Sequence, residues 1–158
     1  SEVRMQPTDL VRQLEEILTL VERLLSSHQI EVIRDFGDEH PEVIGVADNL
    51  RQVFMNLIIN ARDAMKDGGT LRIGLRPENG VVTVSFADNG PGIPPNVIPR
   101  IFEPFFSTKA TGTGLGLPIA YQAISSHGGS IDVRSRDGRT AFIVRFPVVR
   151  EKTASGAA

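Results

Sequence analysis

The chain has 158 residues, 41% of them hydrophobic and 23% charged, with a formal net charge of −2 and no cysteine. That length suits a single domain with a sizeable core, the charge balance excludes a partner held by global attraction to nucleic acid or an anionic membrane, and the missing cysteines exclude disulfides and thiolate chemistry. No apolar run approaches the roughly 20 residues needed to cross a bilayer and the N-terminus has no signal-peptide pattern, so a soluble, cytoplasmic domain is expected, and the start at Ser1 rather than Met predicts a piece of a longer protein.

Leu10, Leu14, Ile17, Leu18, Val21, Leu24 and Leu25 recur at helical spacing and predict a helix over residues 8–26, started by Pro7 and Thr8. Strands are predicted over 30–36 and 43–46, separated by the turn-like "GDEHPE". Asp48 is then expected to cap a second helix whose stripe of Leu50, Val53, Phe54, Leu57, Ile58, Ala61 and Met65 ends at Gly68-Gly69. "TLRIGLR" and "VVTVSFA" read as strands joined through "PENG". A third helix is predicted over 115–126, stopped by Gly128-Gly129, followed by strands "SIDVRSR" and "TAFIVRFPV" joined through Asp137-Gly138. These elements make a domain over 1–150 and leave 151–158 as a tail with nothing apolar to bury. The expected fold is a two-layer α/β sandwich, with a mixed, mostly antiparallel sheet of about five strands packed on three helices.

Three stretches carry residues suited to chemistry. Asn56, Asn60 and Asp63 lie four and three positions apart, so they share one edge of the second helix beside its apolar stripe. They read either as a solvated face or as oxygen ligands for a hard cation such as Mg²⁺, which commonly shares its shell with substrate phosphates. Asp88 stands where the strand "VVTVSFAD" opens into "NGPG". It reads either as the acceptor of an Asx turn or as an acceptor for the exocyclic amine of a purine, with Gly90 and Gly92 letting backbone approach a flat base.

"GTGLGL", residues 112–117, would expose amides at a helix start, a ready anion site. Asp132 follows Gly112 by 20 residues, as in a dinucleotide-binding fold, but the glycines are spaced G-x-G-x-G and no strand precedes them. The P-loop pattern and the G-x-S-x-G elbow are both absent. His28, His40 and His127 have no metal-ligand spacing and read as structural or surface residues.

In order, "NLIINARDAM", "DNGPGI", "IFEPFFSTK" and "GTGLGL" resemble the N, G1, F and G2 boxes of sensor histidine kinases, closest in flavour to nitrogen-regulation types. The resemblance is to their catalytic ATP-binding domain, of the Bergerat fold shared with gyrase, the mismatch-repair ATPase and the large heat-shock chaperone. It implies ATP and Mg²⁺ as cofactors, with Asn60 ligating the metal, Asn56 supporting the same site one turn earlier and Asp63 beside them. By the same likeness Asp88 binds the adenine amine, and Gly90, Gly92, Ile93 and Thr140 complete the base pocket. Gly112, Thr113, Gly114, Leu115, Gly116 and Leu117 wrap the phosphates as part of a lid, with Thr108 and Lys109 approaching the β- and γ-phosphates. Phe102, Phe105 and Phe106 anchor that lid to the body.

The hydrolysing members of this superfamily carry a Glu where Asn56 stands. An amide cannot take a proton near neutral pH, so the resemblance implies transfer of the γ-phosphate to a histidine, catalysed through Asn56, Asn60 and Lys109. That histidine belongs to a dimerisation domain outside this chain, since His40 in "HPEV" sits in a turn-like stretch. The implied partners are that domain and a response regulator, with no nucleic acid and no direct membrane contact. A regulatory nucleotide-binding module without phosphotransfer, or a serine kinase of the anti-sigma-factor type, would share the pocket.

Overall fold

The computed structural model describes residues 4–106 and 116–149. They form, in chain order, β1 (Gln6–Asp9), α1 (Leu10–Ser27), β2 (Ile30–Asp35), β3 (Glu42–Gly45), α2 (Ala47–Ala64), β4 (Gly69–Glu78), β5 (Val81–Asp88), a short 3₁₀ turn (Ile98–Arg100), α3 (Gly116–Ser126), β6 (Ser130–Arg136) and β7 (Arg139–Pro147).

Two tight hairpins organise the sheet. Asn79 and Gly80 take φ of 54° and 79°, and Asp137 and Gly138 take 51° and 72°. Positive φ at both central positions gives the two-residue loop whose twist matches that of its strands. β4 and β5, and β6 and β7, are therefore antiparallel neighbours, and β5 pairs with β7 between them. β2 joins the far edge parallel to β4, because the chain between them crosses over through β3 and α2. The order is β2-β4-β5-β7-β6, the mixed and mostly antiparallel five-stranded sheet that the sequence predicts.

One face of that sheet carries the core. Val82, Val84 and Phe86 on β5 alternate inward with Phe142, Val144 and Phe146 on β7. The helical stripes close over them, and the Phe54 and Phe86 rings meet with centroids 5.9 Å apart. At about 25 cal/mol per Å² of apolar surface, these buried aromatics and the aliphatic residues around them supply the attraction between the layers.

Two boundaries differ from the sequence reading. Thr8 does not start α1: it is a buried residue of β1, which pairs with β3 in a separate two-stranded sheet, and its hydroxyl donates to the Gln6 carbonyl at 2.9 Å. Asp9 is the cap instead, its carboxylate accepting from the Arg12 amide at 3.1 Å. Likewise Val46, not Asp48, precedes α2 as its cap, and Asp48 lies in the first turn, where its charge suits the helix dipole and meets Arg51.

His127 fastens the two helices that frame the site. It is buried, it donates from Nδ1 to the Ala123 carbonyl at 2.6 Å, and its Nε2 accepts from the amide of Val46 at 3.2 Å. That is the structural role expected of it. The ring ties the C-terminal turn of α3 to the start of α2.

Candidate nucleotide-binding site

A cavity of about 870 Å³ opens between the C-terminal half of α2, the loop after β5 and the start of α3. Asn56, Asn60 and Asp63 line it from α2, Gly90, Gly92 and Ile93 from the loop, and Gly116 and Leu117 from α3. Residues far apart in sequence thus share one wall. Thr108, Lys109, Gly112, Thr113, Gly114 and Leu115 lie outside the described residues, as does the tail.

The edge of α2 works as its spacing suggests. Asn56 is half-buried and its amide donates to the carbonyl of Gly116 at 3.1 Å, so the helix that follows the glycine-rich segment is tied to α2 at its first residue. Asn60 and Asp63 follow one and two turns later, and one carboxylate oxygen of Asp63 accepts from Arg62 Nη2 at 2.8 Å. Among the described residues no group of three His, Cys, Asp or Glu side chains is placed to hold a metal. A cation here would take amide and phosphate oxygens, a donor set that fits Mg²⁺.

Asp88 ends β5 with 4% of its surface exposed, next to Thr140, its cross-strand partner on β7, also at 4%. One carboxylate oxygen accepts from the Gly90 amide at 3.0 Å, so the Asx turn forms. The purine reading survives beside it, because among the described residues no buried side-chain oxygen or nitrogen lacks a partner or a path to solvent, and none of those residues donates to the second oxygen. Burial pushes the Asp88 carboxyl above the usual carboxylate range, and the Gly90 amide offsets only part of that. Asp88 and Thr140 themselves add no surface to the cavity wall, which Asn89 to Ile93 form in front of them.

Both glycines of the loop are demanded by close contact. A Cβ on Gly90 would stand 2.7 Å from the carbonyl oxygen of Ala64, the last residue of α2. Gly92 has φ of +85°, and a Cβ there would stand 3.1 Å from Ser135 Oγ. The loop is further held by Asn89, whose side-chain oxygen accepts from the Thr70 amide at 2.9 Å.

The phenylalanines divide. Phe102 packs on Tyr121 and Phe142 with centroids 5.3 and 6.5 Å away, while Phe106 lines the cavity beneath the Arg100 guanidinium, 4.4 Å from the ring centre. Phe105 is 76% exposed at φ of 66° and meets no other ring among the described residues. Its backbone turns the side chain outward, where the sequence reading placed an anchor. Residues that the sequence reading missed include Met65, Val97, Ile101 and Gly138 in the wall, and Ser135 behind it. Ser135 had a signal: it is the polar member of the inward series Ile131, Val133, Ser135 on β6.

Residues 45–150 match the family described as histidine kinase-, DNA gyrase B-, and HSP90-like ATPase. The chain belongs to this family. Over 130 residues it is 41% identical to the sensory histidine kinase/phosphatase NtrB of Rhodobacter capsulatus, covering 74% of this chain and 37% of that protein. The nucleotide-free catalytic domain of the histidine kinase ThkA superimposes with a TM-score of 0.84 at 31% identity, over 90% of this chain and 95% of that one. ThkA in complex with the response regulator protein TrrA matches at 0.79 and 28%, over 94% and 43%. Full-length ShkA in complex with AMPPNP matches at 0.83 and 27%, over 96% and 32%. The two-layer sandwich is thus that of the histidine kinase catalytic domains, and the chain spans little more than a third of its NtrB relative.

Proposed function

We propose that this chain is the ATP-binding catalytic domain of a two-component sensor histidine kinase, working where cytoplasmic ATP is available. The observation that carries this reading is the convergence of the amide edge of α2 and the Asp88 loop on one cavity, with Asn56 bonded to the helix that follows the glycine-rich segment. The cavity volume suits a nucleotide. The second oxygen of Asp88 accepts the adenine amine, and Gly92 and Ile93 lie along the base. Asn60, supported by Asn56, would hold Mg²⁺ together with the phosphates, and Lys109 and residues 112–117 would contribute to binding them. The metal supplies charge neutralisation at the β- and γ-phosphates.

A histidine nitrogen on the dimerisation domain attacks the γ-phosphorus, the bond to the ADP oxygen breaks, and ADP leaves as phosphohistidine forms. Asn56 and Asn60 are amides and take no proton from water, which favours transfer to that histidine over hydrolysis. Catalysis by this chain is then positioning and charge stabilisation. A response regulator receives the phosphoryl group from the assembled kinase.

The test mixes this domain with its dimerisation domain, Mg²⁺ and γ-labelled ATP. Acid-labile, base-stable phosphate on histidine is expected. Tight ATP binding without label would overturn phosphotransfer in favour of a regulatory module, and label on serine would indicate a different acceptor.

A further inference from the structure

Ser135 lies outside the cavity wall, yet it bonds to the loop on one side and to the base-binding strand on the other. Its Oγ accepts from the Ile93 amide at 2.6 Å and lies 2.9 Å from the hydroxyl of Thr140. Thr140 in turn faces Asp88 across the β5–β7 ladder. We propose that Ser135 is a positioning residue for purine selection, which fixes the Thr140 hydroxyl as a donor toward the ring nitrogen next to the amine that Asp88 accepts. This rests on reading the cavity as an adenine-nucleotide site.

A peptide N–H can only donate, so the Ile93 amide makes Ser135 Oγ an acceptor. A hydroxyl that accepts a short bond is polarised and becomes a better donor. Either hydroxyl can donate across the 2.9 Å contact; in the proposed arrangement Ser135 gives its proton to Thr140 Oγ1, and the Thr140 proton is left for the base. Adenine offers a matching edge, with a donor amine beside an acceptor nitrogen. Asp88 and Thr140, adjacent on neighbouring strands, present an acceptor beside a donor. Without the Ser135 proton, nothing decides whether Thr140 donates or accepts, and half of the recognition pattern is lost. The same serine holds Ile93, so the loop and the hydroxyl are set by one atom.

The experiment compares ADP with 1-deaza-ADP, which lacks the acceptor nitrogen, in calorimetric titrations of the unaltered chain, Ser135→Ala and Ser135→Thr. Ser135→Ala is expected to weaken both ligands through the freed Ile93 loop but to weaken ADP about fivefold to tenfold more than 1-deaza-ADP, and Ser135→Thr to restore ADP binding. In the phosphotransfer assay, KM for ATP rises while kcat holds. Should the alanine variant lose its fold, Ser135→Cys, with its weak S–H donor, gives the same comparison. Equal weakening of both ligands, or no weakening of ADP, would overturn the proposal while leaving the nucleotide site intact. An unaltered chain that binds neither ligand would overturn the site reading and the proposal with it.

Discussion

Replacing Asp88 by Asn separates what this carboxylate does for binding from what it does to the fold. One carboxylate oxygen accepts from the Gly90 amide at 3.0 Å, and in the proposed complex the other accepts from the purine amine. An Asn can offer one oxygen only, so either Gly90 or the adenine amine meets an NH₂ group instead. A hydrogen bond to a charged acceptor is worth about 1.5–3 kcal/mol, which makes the expected loss of ATP affinity about 10-fold to 100-fold. A 6-oxo purine nucleotide, which presents an acceptor at that position, should lose less.

The stability of the apo domain should move the other way. Burial raises the Asp88 carboxyl above its ordinary value, so ionisation opposes folding. Whatever Asp88 contributes is fully present below the unfolded carboxyl pKa of about 3.9 and is lost as pH rises through the folded value. Asp88→Asn removes that dependence. Urea denaturation at pH values from just below that unfolded pKa up to neutrality should show the variant gaining on the unaltered chain as pH rises toward the raised folded value, while calorimetry shows weaker ATP binding. Unchanged affinity, or a variant that falls further behind as pH rises, would refute the placing of this side chain as a buried, unpaired acceptor.

Asn60→Ala should remove the Mg²⁺-dependent part of nucleotide affinity, by about tenfold or more, with an unchanged circular-dichroism melt, as measured by titration with and without the metal. Gly90→Ala drives a Cβ against the Ala64 carbonyl oxygen, and the displaced loop should cost about 1–3 kcal/mol in urea denaturation, with ATP affinity falling in parallel. Phe54→Ala, at a fully buried ring packed on Phe86, should cost about 3–5 kcal/mol by the same method.

Much of this could be read from the chain because the signals are local. The α2 stripe, the Asn79-Gly80 and Asp137-Gly138 turns, and the Asn56, Asn60 and Asp88 positions need only spacing and turn chemistry. What escaped depends on distant partners. β1 is four residues long with one buried side chain, Thr8, and exists because Glu42–Gly45 pairs with it from across α1 and β2. No periodicity marks such a strand. The outward turn of Phe105 likewise follows from a positive φ at a residue type that rarely adopts it, so composition pointed the other way.

The departures from local preference converge on one place. Asp88 is a carboxylate buried against its own ionisation, Gly90 leaves backbone bare where a Cβ would collide, Gly92 takes a positive φ, Asn56 and Asn60 put mediocre helix formers into α2, and Ser135 is polar at an inward strand position. Elsewhere pattern and structure mostly agree, with apolar residues facing inward and the hairpins carrying the residues their φ values require, though Phe105 and Gln29 at positive φ and buried Thr8, Gln13 and His127 depart from it. A folding sequence keeps such conflicts only where something outside folding retains them. Here each conflicting group presents a hydrogen-bonding atom or a close backbone approach at the same cavity or directly behind its wall. The locus of strain therefore supports the proposed ligand site independently of any family resemblance. A nucleotide that binds there should raise the Tm of this domain in step with its concentration, by an amount set by the ratio of free ligand to Kd.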